Sequence, residues 1–143
     1  MSDLYDVDVL EWSEHQARLL HAHAAGERTN EAPDWINIIE EVEGVGRSQL
    51  ITVQSLLVQA LLHDLKAEAW PLSREVPHWR AEARGFRRDA ARTFTPSMRQ
   101  RIDVAGLYSD ALYRMPESID GQPPLPVPVA CPVMLDELLG DGP

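Results

Sequence analysis

The sequence predicts an all-α protein: a helical bundle of about four helices around one long central helix, with a Pro-rich extended C-terminal arm and a short terminal helix. Three observations carry this expectation. The stretch from Asp34 to about Glu68 is the longest without proline, and its apolar residues recur at steps of three and four. Shorter runs with the same spacing lie on either side of it. From Pro116 to Pro132, six prolines remove so many N–H donors that neither helix nor central strand can form there.

In the central stretch, Trp35, Ile38, Ile39, Val42, Val45, Leu50, Val53, Leu56, Leu57, Ala60 and Leu61 mark one broad helical face. Pro33 and Asp34 supply a start, since proline is tolerated in a first turn and aspartate caps free N–H groups. At about 1.5 Å per residue such a helix spans roughly 50 Å. The Gly44-Val45-Gly46 triplet is the expected place for a bend, or for close approach of a neighbouring helix.

Upstream, residues 4–25 place Val9, Trp12, Leu19 and Leu20 at helical spacing, with Asp6 or Asp8 as N-cap and Gly26 as a stop. Downstream, Trp70-Pro71 ends the central helix. A third helix is expected from His78 to Phe94, with Trp79, Ala83, Phe86, Ala90 and Phe94 as its apolar stripe. Thr95 and Pro96 open a fourth, reaching Pro116. In the proline-rich segment Leu125, Val127 and Val129 are apolar teeth that lay an extended arm across a surface. Residues 132–139, PVMLDELL, read as a short amphipathic helix. The bundle is thus placed at residues 1–116. The arm and last helix, 117–143, pack on the same domain or on a neighbouring subunit.

Composition excludes several classes. A 143-residue chain with 44% hydrophobic residues has enough apolar surface for one core. No run of eighteen apolar residues and no secretory start are present, so no membrane span is expected and the cytoplasm is the expected location. The single cysteine, Cys131, offers no internal disulfide and no multi-cysteine metal set, and is expected as a small buried side chain. His15, His21 and His23 lie on one helix, but His21 and His23 point in different directions and are expected to face solvent.

The formal charge of −10 is unevenly spread. Residues 1–43 hold eleven carboxylates against Arg18 and Arg28, a balance of −9, while residues 74–101 hold eight arginines against three acids, a balance of +5. Glu40 and Glu43 lie one turn apart on the central helix; Arg80, Arg84 and Arg88 recur at steps of four on the third. The expectation is that these rows pair across helices.

Two alternatives use the same residues. Arginines flanked by Trp79 and Phe86 could grip phosphates and stack bases, although an acidic chain argues against nucleic acid. Glu40 and Glu43 could start a metal site, although a carboxylate-bridged bundle centre needs Glu-x-x-His pairs on two helices, and Glu75 to His78 is interrupted by Pro77. No cofactor loop, nucleophile elbow or catalytic constellation is recognisable. The leading expectation is a non-catalytic protein-interaction or adaptor bundle without cofactor, whose partner is unknown or a second copy of itself.

The ordered set LYDVDVLEW, HQARLL, IIEEVEGVGRS, LLHDLK, a Trp-Arg pair opening helix three and a terminal CPVMLDELL resembles the bacterial family known as domain of unknown function 29. The resemblance covers nearly the whole chain and implies a small all-helical bundle with no assigned activity. Asp64, the run from Ala67 to Trp70, and His78 depart from the family pattern, so the loop between helices two and three is expected to differ in shape.

Overall fold

The computed structural model describes residues 3–140; the end of the expected C-terminal segment, residues 141–143, lies outside the described residues. The order is α1 (Asp3–Val7), α2 (Val9–Ala24), α3 (Trp35–Ala69), α4 (Val76–Thr93), a 3-10 helix (Pro96–Arg101), α5 (Val104–Tyr113) and α6 (Leu135–Leu139). Among the described residues the protein is all-helical; the exception is an isolated bridge between Ile119 and Gln122. The chain divides into two compact units, residues 1–47 and 48–143, so the boundary falls inside α3, just beyond the glycine pair. Helical structure passes through Gly44 and Gly46 without interruption.

In the first unit the helix expected over residues 4–25 is two helices. Asp8 breaks it, leaving helical backbone geometry (φ −147°) so that its carboxylate can accept the Glu11 N–H at 3.0 Å and cap α2. Trp12, Gln16 and Leu19 are the buried face of α2. Gly26 stops the helix with a positive φ of 76°, where a side chain would be strained.

The second unit holds the main core. Val53, Leu57, Val58, Leu61 and Leu65 of α3 meet Ala90 of α4, Met98, Ile102, Leu107, Tyr108 and Ala111 around α5, and Leu138 of α6. A smaller cluster joins Ala67, Ala69, Trp70 and Trp79. Pro77 sits within the first turn of α4, where its missing N–H costs nothing, so this helix starts two residues earlier than expected. The expected fourth helix is interrupted. Residues 96–101 wind as a 3-10 helix, Ile102 and Asp103 are extended, and α5 begins only at Val104. Gly106 explains the tight restart: a Cβ there would lie 2.8 Å from the Asp103 carboxylate.

No helix occurs between Arg114 and Met134. Asp120 (φ 52°) and Gly121 (φ 76°) form a two-residue turn, across which Ile119 and Gln122 exchange both backbone hydrogen bonds at 3.0 Å. Beyond it, the Leu125 N–H donates to the Ala69 carbonyl at the end of α3, and the Tyr108 hydroxyl donates to the Pro128 carbonyl at 2.6 Å. Val127 packs against both hydrophobic clusters. The last helix spans only Leu135–Leu139, with the Glu137 carboxylate accepting the Met134 N–H.

Candidate functional site

The feature with most chemical consequence is a stripe along α3. Trp35, Ile39 and Val42 in the first unit, and Val53, Leu57 and Ala60 in the second, each follow one another at the three- and four-residue steps that define a face; Gly46 and Gln49 hold the positions between the two sets. In the second unit the stripe is core: Val53 and Leu57 are 0% exposed. In the first unit it is in solvent, with Ile39 at 54% and Val42 at 69%. Ile36 and Val45, beside it, are exposed as well. Glu40 and Glu43 are exposed on this same portion of the helix, adjoining Ile36 and Val42. A helix normally turns such a face toward an apolar neighbour.

The arginine row is divided in its contacts. Arg80 donates to Asp64 Oδ1 at 2.8 Å, and Arg87 donates to Asp64 Oδ2 at 2.6 Å, so one carboxylate bridges two guanidiniums. Within the second unit the acid that reaches Arg80 is therefore Asp64; the sequence reading sets the row against Glu40 and Glu43. Asp64 follows Ala60 by one turn and stands among apolar positions; an acid there must find a partner or lose solvation energy. That misplaced charge is the signal by which it could have been found. Arg84 and Arg88 are exposed and, among the described residues, pair with no carboxylate.

Beside the bridge lies a cavity of about 240 Å³ lined by Asp64, Glu68, Arg80, Arg87, Tyr108 and Glu137, among others. Three acids face two arginines there, so it presents no net positive charge to an anion. Burial, with smaller contributions from Cys131 and Glu68, pushes the Tyr108 phenol above its ordinary pKa, which keeps its proton on the bond to Pro128. Cys131 is half-buried, not fully buried as expected, and its thiol donates to the Val133 carbonyl.

In the first unit a cavity of about 580 Å³ is lined by Trp12, His15, Gln16, Glu31, Asp34 and neighbours. Its polar groups satisfy one another. The Asp34 carboxylate accepts from the Trp12 indole at 3.0 Å and from the Asn37 amide at 2.8 Å, and the Asp34 N–H donates to Gln16 at 2.7 Å. His15 Nε2 lies 2.9 Å from Glu31. His21 and His23 are exposed, and the His23 ring meets the Trp35 ring edge-on at 5.7 Å. Among the described residues no three His, Cys, Asp or Glu side chains converge on a point that could hold a metal ion, and no helix is long and apolar enough to cross a membrane.

Of the three apolar residues expected as teeth in the proline-rich segment, Val127 is packed on the core, Leu125 is half in solvent, and Val129 is exposed.

Among solved structures the chain is similar to an alpha-helical protein of unknown function from Rhodospirillum rubrum, 25% identical, with a TM-score of 0.66, covering 94% of this chain and 88% of that one. No curated protein matches it. The family described as Domain of unknown function DUF29 matches residues 4–142. A match over that span places the chain in a family: it belongs to the domains of unknown function named DUF29.

Proposed function

We propose that this chain is a non-catalytic protein-interaction bundle of the cytoplasm, an adaptor that offers the first-unit portion of α3 to a protein partner. The observation that carries the reading is the exposure of Ile39 and Val42 on a helix whose second-unit residues of the same spacing, Val53 and Leu57, are fully buried. Exposed apolar side chains scattered singly are ordinary, but a contiguous helical face is what helix-in-groove recognition uses. The glutamates beside it, Glu40 and Glu43, favour a partner that carries cations around an apolar seam. The exposed Val129 offers a second apolar contact from the proline-rich segment.

The polar groups elsewhere support the same reading. Asp64 is taken up by Arg80 and Arg87, and Asp34 by Trp12 and Asn37. These carboxylates act as struts for the bundle. The test is a photo-crosslinking residue placed at Val42 in living cells. A discrete adduct is expected from Val42 and none from an exposed polar site off this helix, such as Gln100; no adduct from Val42 would overturn the reading.

A further inference from the structure

A surface that complements this face recurs in every copy of this protein. We infer that the first-unit face of α3 docks on the outward arginine face of α4 in a second copy of this protein; the inference rests on the interaction reading and names its occupant. The α3 face has an apolar centre of Trp35, Ile39 and Val42, and an anionic border of Glu40 and Glu43. A complementary surface must bring cations to that border and let bulky side chains approach closely.

The outward side of α4 has both properties. Arg84 and Arg88 stand one turn apart, exposed, and have no carboxylate partner among the described residues. Ala81 and Gly85 lie on the same side, and a Cβ built at Gly85 would meet nothing within 4 Å. The backbone of α4 is therefore bare beside the two guanidiniums, open to Ile39 and Val42 from another helix. The charge pattern of the whole chain agrees: residues 1–43 carry −9 and residues 74–101 carry +5.

The smallest assembly that satisfies both patches is a pair in which each copy gives its α3 face to the other's α4 and receives the same in return, and this pair is the occupant proposed. Guanidinium–carboxylate contacts at the rim set orientation and association rate, while the apolar centre holds the complex.

Light scattering on the full chain, at tens of micromolar and low salt, tests this with two charge-reversed proteins. One carries Glu40→Arg and Glu43→Arg; the other carries Arg84→Glu and Arg88→Glu. All four positions are exposed, and circular dichroism checks that both variants fold. The wild type is expected at twice 16.1 kDa, and each variant alone at 16.1 kDa. An equimolar mixture should return to the dimer mass, because opposite charges then face each other in both seams. A wild type that stays at the monomer mass, or reversed variants that dimerise unchanged, would overturn the second copy as occupant. The interaction reading falls separately, on the absence of any Val42 adduct in cells; an adduct of another mass keeps that reading and removes this one.

Discussion

The Trp12 indole N–H donates to Asp34 Oδ2 at 3.0 Å and so ties the buried face of α2 to the residue that begins α3. The same carboxylate accepts the Asn37 side-chain amide, and the Asp34 N–H is held by the buried Gln16. One residue thus ends a loop, starts a helix and satisfies the indole of a core tryptophan.

The Asn37 hydrogen bond first, and the Trp12 bond second, hold the Asp34 carboxyl below its ordinary value of 3.8, against the opposing effect of burial. A depressed carboxyl favours the fold at pH values above 3.8, and that contribution is lost as pH falls through the lower folded value. In an acid titration followed by NMR, the Trp12 indole N–H resonance is expected to shift only in that low window. Asp34→Asn should abolish the shift while keeping an acceptor, and Asp34→Ala should loosen the first unit more than Asp34→Asn does. A Trp12 resonance that does not move between neutral pH and pH 2 would contradict the assignment.

An opposite shift marks α1. The Tyr5 hydroxyl donates to Glu41 at 2.5 Å, and this bond, then burial and the charges of Glu41, Glu40 and Asp6, raise its pKa from 10.0 to about 12. A raised phenol contributes to folding at pH values below 10.0, and the contribution disappears as pH rises through about 12. Ultraviolet titration of phenolate should therefore show one tyrosine ionising late, and Glu41→Gln should bring it back toward the ordinary range. A normal Tyr5 titration in the wild type would show that the contact does not persist in solution.

Asp64 is the strut of the second unit. Hydrogen bonds to charged groups contribute roughly 1.5–3 kcal/mol each when shielded, and less where solvent screens them. With Arg87 at 24% side-chain exposure and Arg80 at 43%, Asp64→Ala is expected to cost about 2 kcal/mol in urea unfolding. Asp64→Asn should cost less, since an amide oxygen still accepts one guanidinium. An unchanged midpoint for the alanine variant would mean that both arginines find water equally good.

The helices were legible because their spacing is a physical consequence of burial, and α3 begins beside the Pro33-Asp34 pair that marked it. What the periodicity could not show was which half of the stripe is covered. Ile39 and Leu57 are equivalent in pattern, and only packing separates them. The 3-10 turn at Pro96–Arg101 was hidden for a similar reason: Met98 and Ile102 keep helical spacing, while the break comes from the extended backbone at Ile102 and Asp103. The Asp120-Gly121 turn was readable, since that dipeptide suits two positive φ values in succession, but the surrounding prolines dominated the segment. The partner of Arg80 was missed because Asp64 stands alone rather than in an acidic row.

The contrast along α3 gives the sharpest stability test. Leu57 is fully enclosed, so Leu57→Ala removes a packed side chain and leaves a void, at a cost of about 2–5 kcal/mol. Val42 is 69% exposed, so in dilute protein Val42→Ala should change the unfolding free energy by no more than about 0.5 kcal/mol. Urea unfolding at low micromolar concentration measures both free of association. Equal losses at the two positions would mean that the first-unit face is already covered within the chain, and no face would remain to offer a partner. Raising the protein concentration extends the test. If a second copy covers Val42, its alanine variant loses stability relative to wild type only where wild type is dimeric, while the Leu57 variant loses the same amount at every concentration.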